Sequence, residues 1–311
     1  MSTTTPVCSG REESPMTFSN REFRSVAVLG MGTMGAGIVH VLAASGREVV
    51  ALEADEARSR YGMDALTRFL DEGVKRGKTT PEARAQVLAR VRTTTSVAAL
   101  TGVDLVIEAI SEDIEVKKSV LTAVAAVVDA DTPICTNTSA LSVTELAAAL
   151  PHPQRVAGLH FFNPAPLMRT VEIIAALQSS QELIERMETF VDSLHDKVAV
   201  VVKDRPGFLI NALLLPYLND VIAEYDDELA TAEDIDLALQ LGLGYKTGPL
   251  AMLDMIGLDV HLRATEAAHQ ATGDARYAPP PLLRQMVAAG QLGTKSGNGF
   301  RNSDTITSKD S

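Results

Sequence analysis

Residues Gly30-Met31-Gly32-Thr33-Met34-Gly35 follow an apolar run, Val26-Ala27-Val28-Leu29, and open a stretch from Thr33 to Ser45 whose apolar positions recur at helical spacing. Few backbone arrangements place three glycines there. They allow a tight turn between strand and helix, and they let backbone N–H groups approach an anion at the helix N-terminus, where the peptide dipoles favour negative charge. Such a glycine motif recurs by chance, so its surroundings decide its meaning. Here Glu48 to Leu52 reads as a second strand and ends in Glu53, which completes a βαβ unit with an acid at the distance of an adenosine ribose. A carboxylate at that point accepts the ribose hydroxyls of NAD and repels the 2′-phosphate of NADP, and the first arginine that could receive such a phosphate is Arg58. The expectation is an NAD site built from Gly30, Met31, Gly32, Thr33, Met34, Gly35 and Glu53, with Gly37 keeping the helix close to the sheet.

The remaining sequence divides in two. Residues from about Asp55 to Arg92 are polar with apolar positions at helical spacing, which predicts a helical pair projecting from a sheet. Strands are predicted at Asp104 to Ile107, Thr132 to Thr136, Arg155 to His160, Val171 to Ile174 and Lys197 to Val202, with a helix at Val116 to Val128. After Asp204-Arg205-Pro206-Gly207 the pattern becomes helical: Leu209 to Tyr225, Ala232 to Leu241 and Leu250 to Thr272, then a turn-rich segment from Gly290 to Gly299. This predicts an α/β Rossmann domain at 25–206, a doubly wound parallel sheet with a helical excursion, followed by an all-α domain at 207–301. Residues 1–24 and 302–311 are expected to be tails, the first of them disordered. The ligand cleft belongs at the carboxyl ends of the strands.

Composition narrows the function classes. A chain of 311 residues with 46% hydrophobic and 22% charged residues exceeds one ordinary core, which supports two domains. The net charge of −12, with no basic run to offset it, argues against a nucleic-acid partner. Cys8 and Cys135 cannot make a disulfide framework or a cysteine metal site, so no metal is expected and a reducing cytoplasm is. The polar N-terminal stretch lacks the apolar centre of a signal peptide, and no later run reaches the length of a membrane span.

The chemistry-bearing stretch is Asn137-Thr138-Ser139-Ala140-Leu141, then Gly158-Leu159-His160-Phe161-Phe162-Asn163-Pro164 and Val171-Glu172-Ile173, each at a predicted strand end. Together with Gly30 to Gly37, Lys203 to Asn211, Ala232 to Asp236, Gly248-Pro249-Leu250 and Lys295 to Phe300, it closely resembles the 3-hydroxyacyl-CoA dehydrogenase family over about residues 25–301. Oxidising a secondary alcohol independently asks for such groups, because the hydroxyl proton must leave as the hydride does. An imidazole titrates near neutrality, and a carboxylate partner would orient it and stabilise the imidazolium. The resemblance implies that His160 is the base, that Glu172 orients it, and that Ser139 and Asn211 hydrogen-bond the substrate oxygens. It further implies that Glu112, Lys117, Asn163 and Lys295 line the NAD site. Lys75, Arg76 and Lys78 are candidates for the nucleotide part of coenzyme A. Family members are typically dimers through the helical domain, and a helical domain of under 110 residues would expose much of its core alone, so a homodimer is expected.

Taken singly, these residues have ordinary readings. A histidine followed by two phenylalanines is usually a satisfied side chain, Ser139 or Asn211 a helix cap, Glu172 an edge-strand carboxylate, and Lys75 and Arg76 a solvated helix end. Position in the motif reverses this for the first three. The chain departs from the family pattern at Glu53 where Asp is common, at Lys246-Thr247 where a Pro-Met pair is frequent, and at Arg301 where an aromatic is usual. The resemblance implies a short-chain (S)-3-hydroxyacyl-CoA as the expected substrate. The alternatives are the same chemistry on an acyl carrier protein, a gulonate-type sugar-acid dehydrogenase, and a non-catalytic crystallin-like NAD-binding protein.

Overall fold

The structure, a computed structural model, describes residues 22–301. The expected C-terminal tail, Cys8 and all but Glu22–Arg24 of the expected N-terminal tail lie outside the described residues.

The first part runs β1 (Ser25–Leu29), α1 (Thr33–Ala44), β2 (Glu48–Leu52), α2 (Glu56–Lys75), α3 (Pro81–Ala89), β3 (Val91–Thr94), β4 (Leu105–Glu108), α4 (Ile114–Ala125), β5 (Ile134–Thr136), α5 (Val143–Ala148), β6 (Val156–Phe161), β7 (Thr170–Ala175), α6 (Gln181–Asp192) and β8 (Val198–Lys203). The strands form one sheet in the order β3-β2-β1-β4-β5-β6-β7-β8. Helices α1, α2, α3 and α6 supply Leu42, Leu66, Val87 and Met187 to the core on one face, and α4 and α5 supply Leu121, Val124 and Leu146 to the other. Strand order reverses between β1 and β4, and it is outside the carboxyl ends at such a switch that a doubly wound sheet leaves a crevice.

Two sequence expectations fail in this part. Val91–Thr94 is a strand pairing parallel to β2, not the end of the helical excursion; four residues of mixed exposure carry too little periodicity to announce an edge strand. The sheet is also not parallel throughout, because β7 runs antiparallel to β6. Only residues 162–169 separate them. A parallel return needs a crossover of about a dozen residues or more, so this short link can only turn back. Helix α6 provides such a crossover between β7 and β8, which pair parallel.

The second part comprises α7 (Ile210–Asp226), α8 (Ala232–Leu243), α9 (Pro249–Ile256), α10 (Leu258–Thr272) and α11 (Pro281–Ala288) around Leu218, Ile222, Leu253, Leu258, Leu283 and Phe300. The single helix expected from Leu250 to Thr272 is two. Gly257 adopts φ 97°, a left-handed-side backbone that cannot continue an α-helix, and the chain turns between α9 and α10 there.

Candidate active site

The glycine turn is built by close approach. Gly30 has φ 92°, and a Cβ on it would lie 2.8 Å from the carbonyl oxygen of Ala109 beyond β4. Gly35 sits so near the turn that a Cβ would fall 1.9 Å from the Gly30 carbonyl oxygen. Gly37 does something other than expected: a Cβ on it would lie 3.2 and 3.3 Å from Ala165 and Pro166, so Gly35 seats α1 on the strand and Gly37 makes room for the loop after β6. Gly32 begins α1 without a side-chain cap, and the first turn carries no acid, so the positive end of the helix is uncovered. Met31 buries its side chain in the core and offers the site only its backbone, whose N–H donates to Glu53 Oε1. Glu53 Oε2 accepts from the Ala54 N–H at 3.2 Å, which fixes the carboxylate beside the glycines. Gly30, Met31, Gly32, Glu53 and Ala54 wall a cavity of about 820 Å³ that also takes in Thr33, Met34, Ile110 and Val120. An uncapped helix end, glycines where a Cβ would intrude and a carboxylate at the second strand together fit a dinucleotide.

Ser139 follows β5 on a loop held by Glu112. One carboxylate oxygen, Oε1, accepts from Thr138 Oγ1 at 2.6 Å, the Ser139 N–H at 2.9 Å and Ser139 Oγ at 3.3 Å. Burial pushes the Glu112 carboxyl up, but the hydrogen bonds from Thr138 and Ser139 and the charge of Lys117 outweigh it, and its pKa lies below the usual value. Lys117 is 1% exposed and lies beneath this loop, its Nζ 2.6 Å from Glu108 Oε1 and 3.3 Å from Glu112 Oε2. Asn137 Oδ1 accepts from the Phe161 N–H at 2.8 Å and ties the end of β5 to the end of β6.

His160 and Glu172 face each other across the antiparallel β6–β7 pair as direct register partners. His160 Nδ1 is 2.7 Å from Glu172 Oε2, and both side chains are buried. The other oxygen of Glu172 accepts from the Leu209 N–H at 3.1 Å and the Ile210 N–H at 2.8 Å, the first amides of α7. Glu172 therefore serves two elements: one oxygen fixes the imidazole and the other holds the start of the helical part. With both oxygens accepting, the carboxylate takes its proton contact from Nδ1–H and leaves Nε2 as the free lone pair. Rings of Phe162 and Phe208, at 4.4 and 5.6 Å, flank the imidazole. Asn211 comes one residue after the amide bound by Glu172, half-buried, and its side chain makes no hydrogen bond among the described residues. His160 and Glu172 thus meet across β6 and β7; Ile210, the neighbour of Asn211, bonds to the second oxygen of Glu172, and Ser139 stands on the loop after β5 held by Glu112.

Other expected site residues are spread more widely. Asn163 lines a second cavity of about 220 Å³ with Gly37, His40, Tyr61 and Phe69, which shares Gly32 and Thr33 with the larger one. Burial, then the charge of Lys197, lower the His40 pKa to about 4. Lys295 pairs with Asp259 of α10 in the helical part. Lys75 and Arg76 are exposed at the far end of α2, where Arg76 pairs with Glu72 at 2.7 Å; by the helix rise they lie about 20 Å along the axis from Tyr61. Sequence reasoning missed Glu108, Thr136 and Thr138, whose one sign was a carboxylate closing the apolar run Leu105-Val106-Ile107.

Comparison with known proteins agrees in extent with this architecture. Residues 25–205 match the 3-hydroxyacyl-CoA dehydrogenase NAD binding domain, and residues 207–303 match the C-terminal domain of the same family. A 3-hydroxybutyryl-CoA dehydrogenase of Mycobacterium tuberculosis is 40% identical over 276 residues, 88% of this chain and 96% of that protein. One from Clostridioides difficile is 39% identical over 88% of this chain and 98% of its own. The crystal structure of (S)-3-hydroxybutyryl-CoA dehydrogenase from Ralstonia eutropha superposes with a TM-score of 0.85 at 38% identity, covering 90% of this chain and 99% of that one.

Proposed function

This chain belongs to the 3-hydroxyacyl-CoA dehydrogenase family and is an NAD-dependent oxidoreductase, and from its geometry we propose that it interconverts short-chain (S)-3-hydroxyacyl-CoA and 3-oxoacyl-CoA with His160 as general acid and base. The observation that carries this reading is the buried His160–Glu172 pair at 2.7 Å, which leaves Nε2 available at a strand end. In the oxidative direction Nε2 removes the C3 hydroxyl proton, and Glu172 stabilises the imidazolium that forms. Bound NAD supplies the hydride acceptor. The glycine turn and Glu53 hold the dinucleotide, with Glu112 and Lys117 shaping the wall on its nicotinamide side. Ser139 and Asn211 donate to the substrate oxygens and align the thioester carbonyl. In reduction the imidazolium returns the proton to the developing alkoxide.

The division near Pro206–Gly207 into a cofactor domain and a helical domain is part of this reading. So is pairing of two copies through the helical domain, where Leu237, Leu241, Leu243 and Met255 are 53–79% exposed. Among the described residues no helix is long and apolar enough to cross a membrane. A cytoplasmic location is proposed from the free buried Cys135 thiol.

The test mixes purified protein with NADH and acetoacetyl-CoA and follows NADH absorbance, with acetoacetate and an acetoacetyl carrier protein in parallel. Turnover of the coenzyme A thioester alone supports the proposal. Turnover confined to the carrier-bound substrate or to free hydroxy acids moves the activity to those classes, and NADH binding with no turnover of any of them rejects it.

A further inference from the structure

Glu108 ends β4 with its side chain fully buried, and its two oxygens serve two different loops. Oε1 accepts from the Ile110 N–H at 2.7 Å and from Lys117 Nζ at 2.6 Å, on the wall of the dinucleotide cavity. Oε2 accepts from Thr136 Oγ1 at 2.6 Å, and Thr136 Oγ1 in turn accepts from the Thr138 N–H at 3.2 Å, on the loop that carries Ser139. A buried carboxylate survives only if it is paired and hydrogen-bonded, and here one oxygen serves Ile110, which lines the dinucleotide cavity, and the other serves the base of the Ser139 loop.

The charges order the rest. Two carboxylates, Glu108 and Glu112, share one ammonium on Lys117. The contact to Glu108 is the shorter, 2.6 Å against 3.3 Å, so Lys117 is held more closely by Glu108 than by Glu112. Glu112, whose side chain is 39% exposed, keeps its negative charge for the Ser139 loop. With Gln at position 108 the amide oxygen can still accept from Ile110 and Lys117, but the amide nitrogen faces Thr136 Oγ1 and reverses that hydrogen bond. Lys117 would then be balanced by Glu112 alone and would draw its carboxylate away from Ser139.

We propose that Glu108 is a positioning residue that sets Ser139 against the cofactor wall, acting through Thr136 and through the Lys117–Glu112 pair. The role rests on the hydroxyacyl-CoA reading of the site. A double-mutant cycle tests it: E108Q, T136V and S139A singly, then E108Q and T136V each combined with S139A, assayed for kcat and KM with acetoacetyl-CoA and for NADH binding by fluorescence. The expected result is a kcat loss of about tenfold in E108Q and about threefold in T136V, with NADH affinity held within about threefold, and no further loss when either joins S139A. Losses that multiply in the S139A background, or E108Q and T136V enzymes with wild-type kcat, overturn the proposal. If E108Q does not fold, T136V, which leaves every charge in place, measures the same coupling to Ser139. Absence of thioester turnover in the wild type overturns the functional reading and this role with it, whereas multiplying losses in an active enzyme overturn this role alone.

Discussion

His160 and His261 are both buried imidazoles, yet they belong to opposite designs. His160 meets a carboxylate at the end of the sheet, with Nδ1 bonded to Glu172. His261 lies in the helical core, where Nε2 is 3.1 Å from Asn219 Oδ1. Asn219 turns its amide nitrogen to Thr265 Oγ1 and the Arg276 carbonyl oxygen, so its oxygen must accept and His261 must donate from Nε2. Burial alone lowers the His261 pKa to about 4, because the amide offers no charge to offset desolvation. A carboxylate partner fixes the orientation of the one imidazole, and an amide partner leaves the other a neutral strut.

The largest consequence of that contrast is expected in turnover. H160A should lower kcat by about 10³-fold or more while NADH affinity stays within about twofold, as measured by steady-state kinetics and fluorescence titration. Wild-type rates in this variant would remove His160 from the chemistry. E172Q should cost about 10²–10³-fold with little change in KM. Its amide oxygen is claimed by the Leu209 and Ile210 amides, so the amide nitrogen must face His160 and impose the wrong tautomer. A rate within a few fold of wild type would show that orientation by charge is not needed.

On the other side of the comparison the effect falls on stability. The unfolded His261 titrates near 6.5 and the folded one near 4, so the unfolded chain binds more protons between those values. Stability is therefore complete above about pH 6.5 and is lost as pH falls toward 4, by about 3 kcal/mol from this residue. His40 adds a loss of the same sign in the same window. Denaturant unfolding between pH 4 and 8 should show the slope, and H261Q should flatten it without changing turnover at pH 7.5. A smaller effect concerns the exposed end of α2: K75A and R76A should change KM for the thioester by less than about threefold, since the Arg76–Glu72 pair is solvent-exposed. A tenfold rise would place coenzyme A there after all.

What the sequence showed and what it hid follow the same physics. The glycine turn and Glu53 were legible because local backbone geometry and strand order are written in adjacent residues. The His160–Glu172 contact depended on resemblance, since it arises from an antiparallel return that only the brevity of residues 162–169 enforces. The break at Gly257 was hidden because one glycine inside an apolar helical period reads as tolerated until its φ is known. Glu108 and Thr136 were hidden because the contacts that join them to the site, Glu108 to Lys117 and Thr136 to Glu108, span 9 and 28 positions. Arg301, a departure from the family pattern, takes up Asp236 at 2.7 Å in the helical part, and the sequence offered no sign of that partner.

The most direct test of the carboxylate-paired base is ¹⁵N NMR of histidine side chains in the NADH-bound enzyme at pH 7.5, with H160A and H261Q assigning the two signals. The expected result is opposite tautomers: a proton on Nδ1 of His160 in a strong hydrogen bond to Glu172, and a proton on Nε2 of His261. A neutral His160 carrying its proton on Nε2 would contradict the account, because no lone pair would then be free to receive the substrate proton.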